Sequence, residues 1–600
     1  MASKDKHKLT IYTDGQKRRS SILSVNSDAD SDKEIRKKIQ HGTRLTAAWS
    51  MFADFCNNST VHGVKYLGEK QRHWSERAFW VMAFIISVTG CTIMIVKIYD
   101  KWQNTPVIVS FAEKSTPVWQ IPFPAVTICP ETKAMKKHVD MTKGYIYTKV
   151  GLRDNLTDDE ARNLEAISQV CDLHLFSEKS MEINSGLESQ DIVPLLKSIT
   201  VSLNETTLFC KWRNAIDSCE KFFTEIITEE GFCYTFNVLD SSELFKEEIL
   251  ADDFEYIKHN KSSTNWTLER GYETADPETF PYRVLGPGAR AGLNIVLKLT
   301  DVDLDYMCRG PVQGFKILLH TPGEIPRVSK QYFRVPLNQE VVVSVKPNMI
   351  TTSEGLIGYA PNRRQCYFND ERQLKFFKVY TQSNCELECL TNFTLGMYDY
   401  EHCGCVKFSM PRDTNMEICS QKDITCYDSA EDLLMMKELN QSLETRGGEN
   451  KHGKTVCNCL PSCTSINYDA EISQADYEYV KVFEAHGGDL NEYPGAILAR
   501  LTIFFKEAQF ITSRRSELYG LTDFMANVGG LLGLFMGVSI LSLIEILYYI
   551  TLRLACHLNY RRHKKIKARR NSSVPPILSP NIEFIPGIKV EKCSTDSKLD

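Results

Sequence analysis

The chain has 600 residues, enough for a large core or several domains, and its formal net charge of −5 gives no global sign of a nucleic-acid partner. Sixteen of its 20 cysteines lie between Cys129 and Cys463, with only Cys56, Cys91, Cys556 and Cys593 outside. The same region carries six Asn-x-Ser/Thr sequons, at Asn155, Asn204, Asn260, Asn265, Asn392 and Asn440. An even cysteine set among glycosylation signals reads as an oxidised, extracellular segment.

In chain order, residues 1–60 are polar and mixed in charge and read as disordered, with an RRSS stretch at Arg18 to Ser21 whose kinase-site pattern is short enough to be incidental. The start is polar and reads as no signal peptide, so the first apolar run does the targeting. Before it comes HGVKYL, where an isolated His62-Gly63 pair reads as a loop turn. Ala78 to Val96 is then a run of 19 residues bounded by Arg77 and Lys97. Tyr99 and Trp102 follow where amphipathic rings collect at a membrane interface. Val107, Val109 and Phe111 alternate as a strand, and FPAVTICP (Phe123 to Pro130) is a short strand between prolines. Residues 150–230 carry helical periodicity. GFCYTFN (Gly231 to Asn237), GLNIVLKL with its alternation at Leu293, Ile295, Leu297 and Leu299, GFKILLHTPGEIP and EVVVSVKP all read as strands closed by turn residues.

From Cys366 to Cys463 ten cysteines fall within 98 residues. Cys385 and Cys389 stand at i and i+4 on one helix face. Cys457 and Cys459 are two apart, on one side of an extended strand. The combination suits a ladder of disulfides between helix and strand, with a zinc cluster as the competing reading of the CxC pair. Ile503 to Phe510 reads as the last strand before the second apolar stretch.

That stretch is Phe524 to Leu552, and its first 21 residues, to Ile544, carry no charge. At roughly 1.5 Å per residue they cross a hydrocarbon core of about 30 Å. Gly529, Gly533 and Gly537 recur every four residues and lie within one face of a helix, next to Gly530. Ser539, Ser542 and the ionisable Glu545 follow. One reading is a GxxxG packing face in a plain anchor. The other is a helix lining a polar pathway, because a carboxylate is costly in lipid and turns toward protein or water. Eight Lys or Arg and no acid between Arg553 and Arg570 belong in the cytoplasm. Two spans then put both termini inside and the cysteines outside.

The His-Gly pair, FPAVTICP, GFCYTFN, the cysteine block ending in CNCLPSC (Cys457 to Cys463) and GGLLGLFMGVSILSLIE occur in the order found in the degenerin/epithelial sodium channel superfamily. The chain resembles that superfamily from about residue 60 to 555, and GFKILLHTPGEIP makes it most similar to the insect pickpocket branch. The resemblance implies an α+β membrane protein with two transmembrane helices flanking a large disulfide-rich extracellular domain. That domain is a β-sheet palm and ball with helical finger, thumb and knuckle, and the assembly is a trimer. The implied layout is a cytoplasmic region 1–77, a first span 78–98, an extracellular domain 99–520 with a cysteine-rich thumb at 366–463, a pore-lining span 521–552, and a basic, disordered cytoplasmic tail 553–600.

The implied activity is sodium-selective, amiloride-sensitive conduction gated by an extracellular stimulus, chemical, osmotic or mechanical. The implied selectivity filter is Gly537, Val538 and Ser539, with Val538 in place of the Ala common in acid-sensing and epithelial members. Ala526 falls where large side chains hold degenerins open, and Asn527 where acid-sensing members carry an Asp at the outer gate. Gly530, Gly533 and Glu545 complete the implied pore, and His62 and Gly63 fall on the pair that controls gating. Arg363 stands where acid-sensing members often carry a thumb Trp, so proton gating does not transfer. The tail lacks a PPxY motif.

Family pairing implies bonds Cys129–Cys233, Cys210–Cys219, Cys366–Cys463, Cys385–Cys459, Cys389–Cys457, Cys403–Cys426 and Cys405–Cys419. Cys171 and Cys308 have no such template. The even count favours a bond between them, closing a loop of about 137 residues, and buried free thiols are the alternative. Implied partners are sodium ions, membrane lipid, two further identical or related subunits and an unidentified extracellular ligand. No cofactor, metal or nucleic acid is expected. Three other classes compete. A purinergic-type trimer needs a Lys/Arg cluster for a triphosphate, and none stands out. A two-span extracellular ligand-binding receptor without a pore predicts plain Leu/Val anchors. An enzyme needs a catalytic constellation, which the sequence does not offer.

Overall fold

The computed structural model describes residues 51–571 apart from 70–72, 105–106, 153–154, 172–182, 184, 252–253, 255–257, 260, 264–265, 275, 277, 397–402, 447–456 and 488–492. The chain divides into two compact units, one formed by its two ends up to Asn104 and from Tyr519, the other by Thr105–Leu518. The sequons Asn260 and Asn265 lie outside the described residues, as does the RRSS stretch.

In the unit of chain ends, residues 51–58 are helical, so the disordered reading of residues 1–60 does not extend to them. They fold because Phe55 meets Tyr549 edge-to-face at 5.3 Å and Cys56 is buried with Val61 and Val64. The first span is one helix, Trp74–Asn104, longer at both ends than 78–98. It runs beside the Leu521–Met536 helix: Trp102 stacks on Phe524 at 5.0 Å near one end, and Gly90 lets Phe535 approach near the other. Among the described residues, the helices long and apolar enough to cross a membrane are Trp74–Asn104 and Ile540–Tyr560, the second preceded by the shorter apolar helix Leu521–Met536. The basic run expected to open a disordered tail is instead helical, through a π-helical turn at Tyr549–Arg553 and the helix Leu554–Asn571.

The Thr105–Leu518 unit contains, among its described residues, the strands β1 (Val107–Phe111), β2 (Thr116–Pro117), β3 (Ala125–Pro130), β4 (Thr207–Trp212), β5 (Ala215–Asp217), β6 (Phe223–Thr228), β7 (Gly231–Phe236), β8 (Leu293–Thr300), β9 (Gly314–His320), β10 (Phe333–Pro336), β11 (Gln339–Thr352), β12 (Ser465–Asp476), β13 (Ala496–Phe505), β14 (Gln509–Phe510) and β15 (Ser513–Glu517). One sheet runs β1-β15-β11-β13-β8-β4-β5 with β12 added to β11, and a second runs β10-β9-β3-β7-β6. They share a core in which Phe123, Trp212, Phe236 and Phe505 meet with ring centroids 4.9–6.1 Å apart. The far face of the five-stranded sheet is covered by helices Asp158–Ser168, Ile192–Ile199, Gln382–Leu395 and Ile424–Arg446. Because β3 and β7 are covered on both faces, every residue in them is buried, so they carry no charge and their two threonines, Thr127 and Thr235, meet each other at 2.8 Å.

Three local expectations change. The 150–230 region is helical only in its first part and passes into β4, β5 and β6, because Phe223, Ile226 and Ile227 add to the second sheet. The last strand before the second apolar stretch is β15, not Ile503–Phe510, whose residues divide between β13 and β14. Cys457 and Cys459 lie in a loop rather than a strand, with Asn458 at φ 51°.

All sixteen cysteines of this unit are paired, in the seven bonds of the family pattern and in Cys171–Cys308, with Cα–Cα distances of 4.5–5.8 Å. Cys171 and Cys308 stand 4.5 Å apart, inside the range a disulfide requires. The sequon asparagines Asn155, Asn204, Asn392 and Asn440 are exposed. Below the sheet cores sits an ion cluster: Glu230 meets Lys133 at 3.0 Å, Arg309 at 3.0 Å and Lys316 at 2.9 Å. Three cations around one buried carboxylate hold Glu230 far below the usual carboxylate range despite the burial that opposes its charge.

Candidate functional site

The stretch read from sequence as one continuous helix is broken in its middle. Leu521–Met536 ends with Gly537 in the left-handed region at φ 66°. The Gly537 N–H bonds the Gly533 carbonyl, a left-handed helix stop that favours glycine, and the Val538 N–H reaches back to the Leu532 carbonyl. Ser539 is extended (φ −115°, ψ 171°) and its side chain caps the next helix, Ile540–Tyr548, by accepting from the Ser542 N–H. Gly537 is therefore not the third member of a helical glycine stripe. It is the hinge at which the helix stops, and Gly537, Val538 and Ser539 form the non-helical link.

The other wall of the break comes from the segment before the first span. The His62 N–H donates to the Met536 carbonyl at 2.9 Å, supplying a partner for the open end of the upper helix. A Cβ on Gly537 would lie 2.6 Å from His62 Nδ1, so the ring fills the space that glycine leaves. Gly63 takes φ 83° and turns the chain back toward the first span. Val61 and Val64 pack with Phe84, Met536 and Val538 beneath it.

Thr60, which sequence reasoning passed over, is the centre of a polar chain. Its N–H and hydroxyl stand 3.2 and 3.0 Å from Oε2 of Glu545. Its hydroxyl is also 2.8 Å from the buried Ser542 Oγ, which is 3.2 Å from the Ser539 N–H. The Thr60 hydroxyl gives its one proton to Glu545, so the chain runs from the Ser539 N–H to Ser542, from Ser542 to Thr60 and from Thr60 to Glu545. About two turns further on, Arg553 reaches Asp54 at 2.9 Å and fastens the 51–58 helix. The signal that existed in sequence was the Ser59-Thr60 pair one residue ahead of His62-Gly63.

The remaining expected positions lie on Leu521–Met536. Ala526, Gly529, Gly530 and Gly533 share one face, and Asn527 lies beside them. All five are exposed, and among the described residues nothing beyond the helix's own backbone and the adjoining residues lies within 4 Å of a Cβ placed on any of the three glycines. This face is open to close approach by another backbone.

Residues 55–549 match the family model described as "Amiloride-sensitive sodium channel". The chain is 29% identical over 586 residues to Pickpocket protein 28 of Drosophila melanogaster, covering 95% of this chain and 89% of that protein. It is 24% identical to Sodium channel protein Nach of Drosophila melanogaster, covering 88% and 90%. To human Acid-sensing ion channel 2 it is 22% identical, covering 83% and 85%. Members of this family are ion channels of the plasma membrane, not enzymes. With the broken second span, the docked His-Gly segment and the disulfide-rich sheet unit in place, the chain belongs to the amiloride-sensitive sodium channel family, in its insect pickpocket branch.

Proposed function

We propose that this chain is one subunit of a trimeric, sodium-selective, amiloride-sensitive channel opened by an extracellular stimulus. Both termini are cytoplasmic and the 105–518 unit is outside. The carrying observation is the interrupted second span, where a glycine stop, extended Ser539 and the Ser542–Thr60–Glu545 chain put backbone and side-chain oxygens beside an apolar helix. In a threefold assembly, Gly537, Val538 and Ser539 form the selectivity filter. Their carbonyls and hydroxyls replace part of a small cation's hydration shell. Three Glu545 carboxylates toward the inner end raise the local cation concentration and repel anions. Ala526, Asn527, Gly530 and Gly533 line the outer half of the pore, and His62 and Gly63 act in gating. The outside placement is supported by sixteen bonded cysteines and four exposed sequon asparagines in one unit, together with the basic run after Arg553. Sodium ions and lipid are its partners, with related or identical subunits and an extracellular ligand.

The test is whole-cell current from the chain expressed alone and with related subunits. An amiloride-blocked current reversing near the sodium potential is expected. Absence of any current from chains confirmed at the cell surface, under osmotic, mechanical and chemical stimulation, overturns the reading.

A further inference from the structure

A groove of about 550 Å³ opens on the side of the 105–518 unit, and one of its walls is β6. β6 is the outer strand of the five-stranded sheet and pairs with β7 alone, so its second edge has no partner strand among the described residues. Phe223 through Ile226 of this strand line the groove. An open edge invites pairing with another chain, and folded proteins keep such edges covered or charged.

The opposite rim carries Asn204. It is the acceptor of a sequon completed by Thr206, it is exposed, and it lines the same groove. Its Nδ2, the atom to which a sugar is joined, lies 2.5 Å from Oε1 of Glu220 on the groove wall. Glycosylation leaves that nitrogen one N–H, enough to keep the bond to Glu220. The wall also offers the exposed Glu225 and Lys258 for the hydroxyl and acetamide groups of a sugar.

We propose that the N-linked glycan of Asn204 lies in this groove and covers the free edge of β6. The attachment transfers an oligosaccharide from a lipid-linked pyrophosphate donor. The anomeric carbon leaves the phosphate oxygen and bonds Nδ2, and the amide proton departs with the pyrophosphate. Saccharide hydroxyls satisfy edge N–H and C=O groups without presenting a further edge, so the glycan ends the sheet where a peptide strand extends it. The inference rests on the extracellular placement proposed above.

The experiment is site-resolved glycopeptide mass spectrometry on the full chain produced in a glycosylating cell. It is followed by amine-reagent labelling of the folded protein before and after native endoglycosidase trimming. Asn204 is expected to be occupied. Labelling of Lys258 is expected to rise several-fold on trimming and in Asn204→Gln, and not in Asn155→Gln. Native trimming keeps the test available if Asn204→Gln is not exported. An unmodified Asn204 in a chain whose other sequons are occupied overturns the proposal, whereas a chain bare at every sequon overturns the extracellular placement with it. Lys258 labelling that stays low after trimming means that another occupant, such as an added strand, holds the groove, and also overturns it.

Discussion

Thr60 holds Glu545 through two hydrogen bonds to one carboxylate oxygen, although 485 residues separate them in the chain. A residue before the first span thereby fixes a charged side chain of the second. In the proposed pore this makes Glu545 a placed charge rather than a free one. Reversal potentials should shift away from the wild-type sodium-to-potassium ratio in Glu545→Gln and Ser539→Cys. Thr60→Val, which removes a hydroxyl bond to a charged group worth about 1.5–3 kcal/mol, should shift the ratio as Glu545→Gln does, while Thr60→Ser should keep it. Unchanged ratios in both Ser539→Cys and Glu545→Gln would remove the pore assignment.

Gly537 and His62 form a second pair whose shapes depend on each other. Ala at 537 meets both the left-handed backbone, at about 1–2 kcal/mol, and the imidazole 2.6 Å from its Cβ. Current per surface channel should fall roughly tenfold in Gly537→Ala, the loss that about 1.4 kcal/mol implies. His62→Ala makes room for the methyl group but leaves the backbone strain, so the same glycine substitution should cost less in that background. Equal losses in both backgrounds would mean that the ring and the hinge are independent.

Ala526 is exposed on the face it shares with Gly529, Gly530 and Gly533. If copies of this helix close against one another there, Ala526→Val overpacks the closed state by about 1–3 kcal/mol and shifts the equilibrium toward open. A raised resting current blocked by amiloride is the expected result. Resting current at the wild-type level, with surface expression confirmed, would place this face away from the gate.

His320, at the end of β9, gives the sheet unit an acid-sensitive stability. Its ring is buried, donates from Nδ1 to the Thr321 carbonyl at 2.9 Å and accepts at Nε2 from Thr127 at 2.9 Å. Burial lowers its pKa from 6.5 to about 4, against the raising effect of its backbone bonds. Between those values the unfolded chain binds a proton that the folded one refuses. The contribution is therefore full above pH 6.5 and falls as pH drops toward 4, by about 3 kcal/mol at 1.36 kcal/mol per unit. Melting temperatures of the purified chain at pH 7.5, 5.5 and 4.5 should fall less steeply in His320→Gln. Identical slopes would show that His320 is not the group responsible.

Much of this protein is determined by sequence because its signals are local or countable. The apolar run Ala78–Val96 falls within the first candidate membrane helix, Trp74–Asn104, whereas the run Phe524–Ile544 is divided between Leu521–Met536 and the second candidate, Ile540–Tyr560. Alternation at Leu293, Ile295, Leu297 and Leu299 gives β8, in which Val296, on the opposite face, is buried as well. An even cysteine count makes a Cys171–Cys308 bond the economical reading, but only tertiary contact brings residues 137 positions apart to 4.5 Å. The interruption at Gly537–Ser539 was hidden for a physical reason. Hydropathy and glycine spacing are the same in a straight helix and in a broken one, and the stop depends on a left-handed glycine and on His62 arriving from the far end of the chain. Thr60 was hidden likewise: hydrogen bonding across 485 residues leaves no periodicity to read, and a polar residue next to a polar terminus looks solvated until the fold gives it a carboxylate to hold.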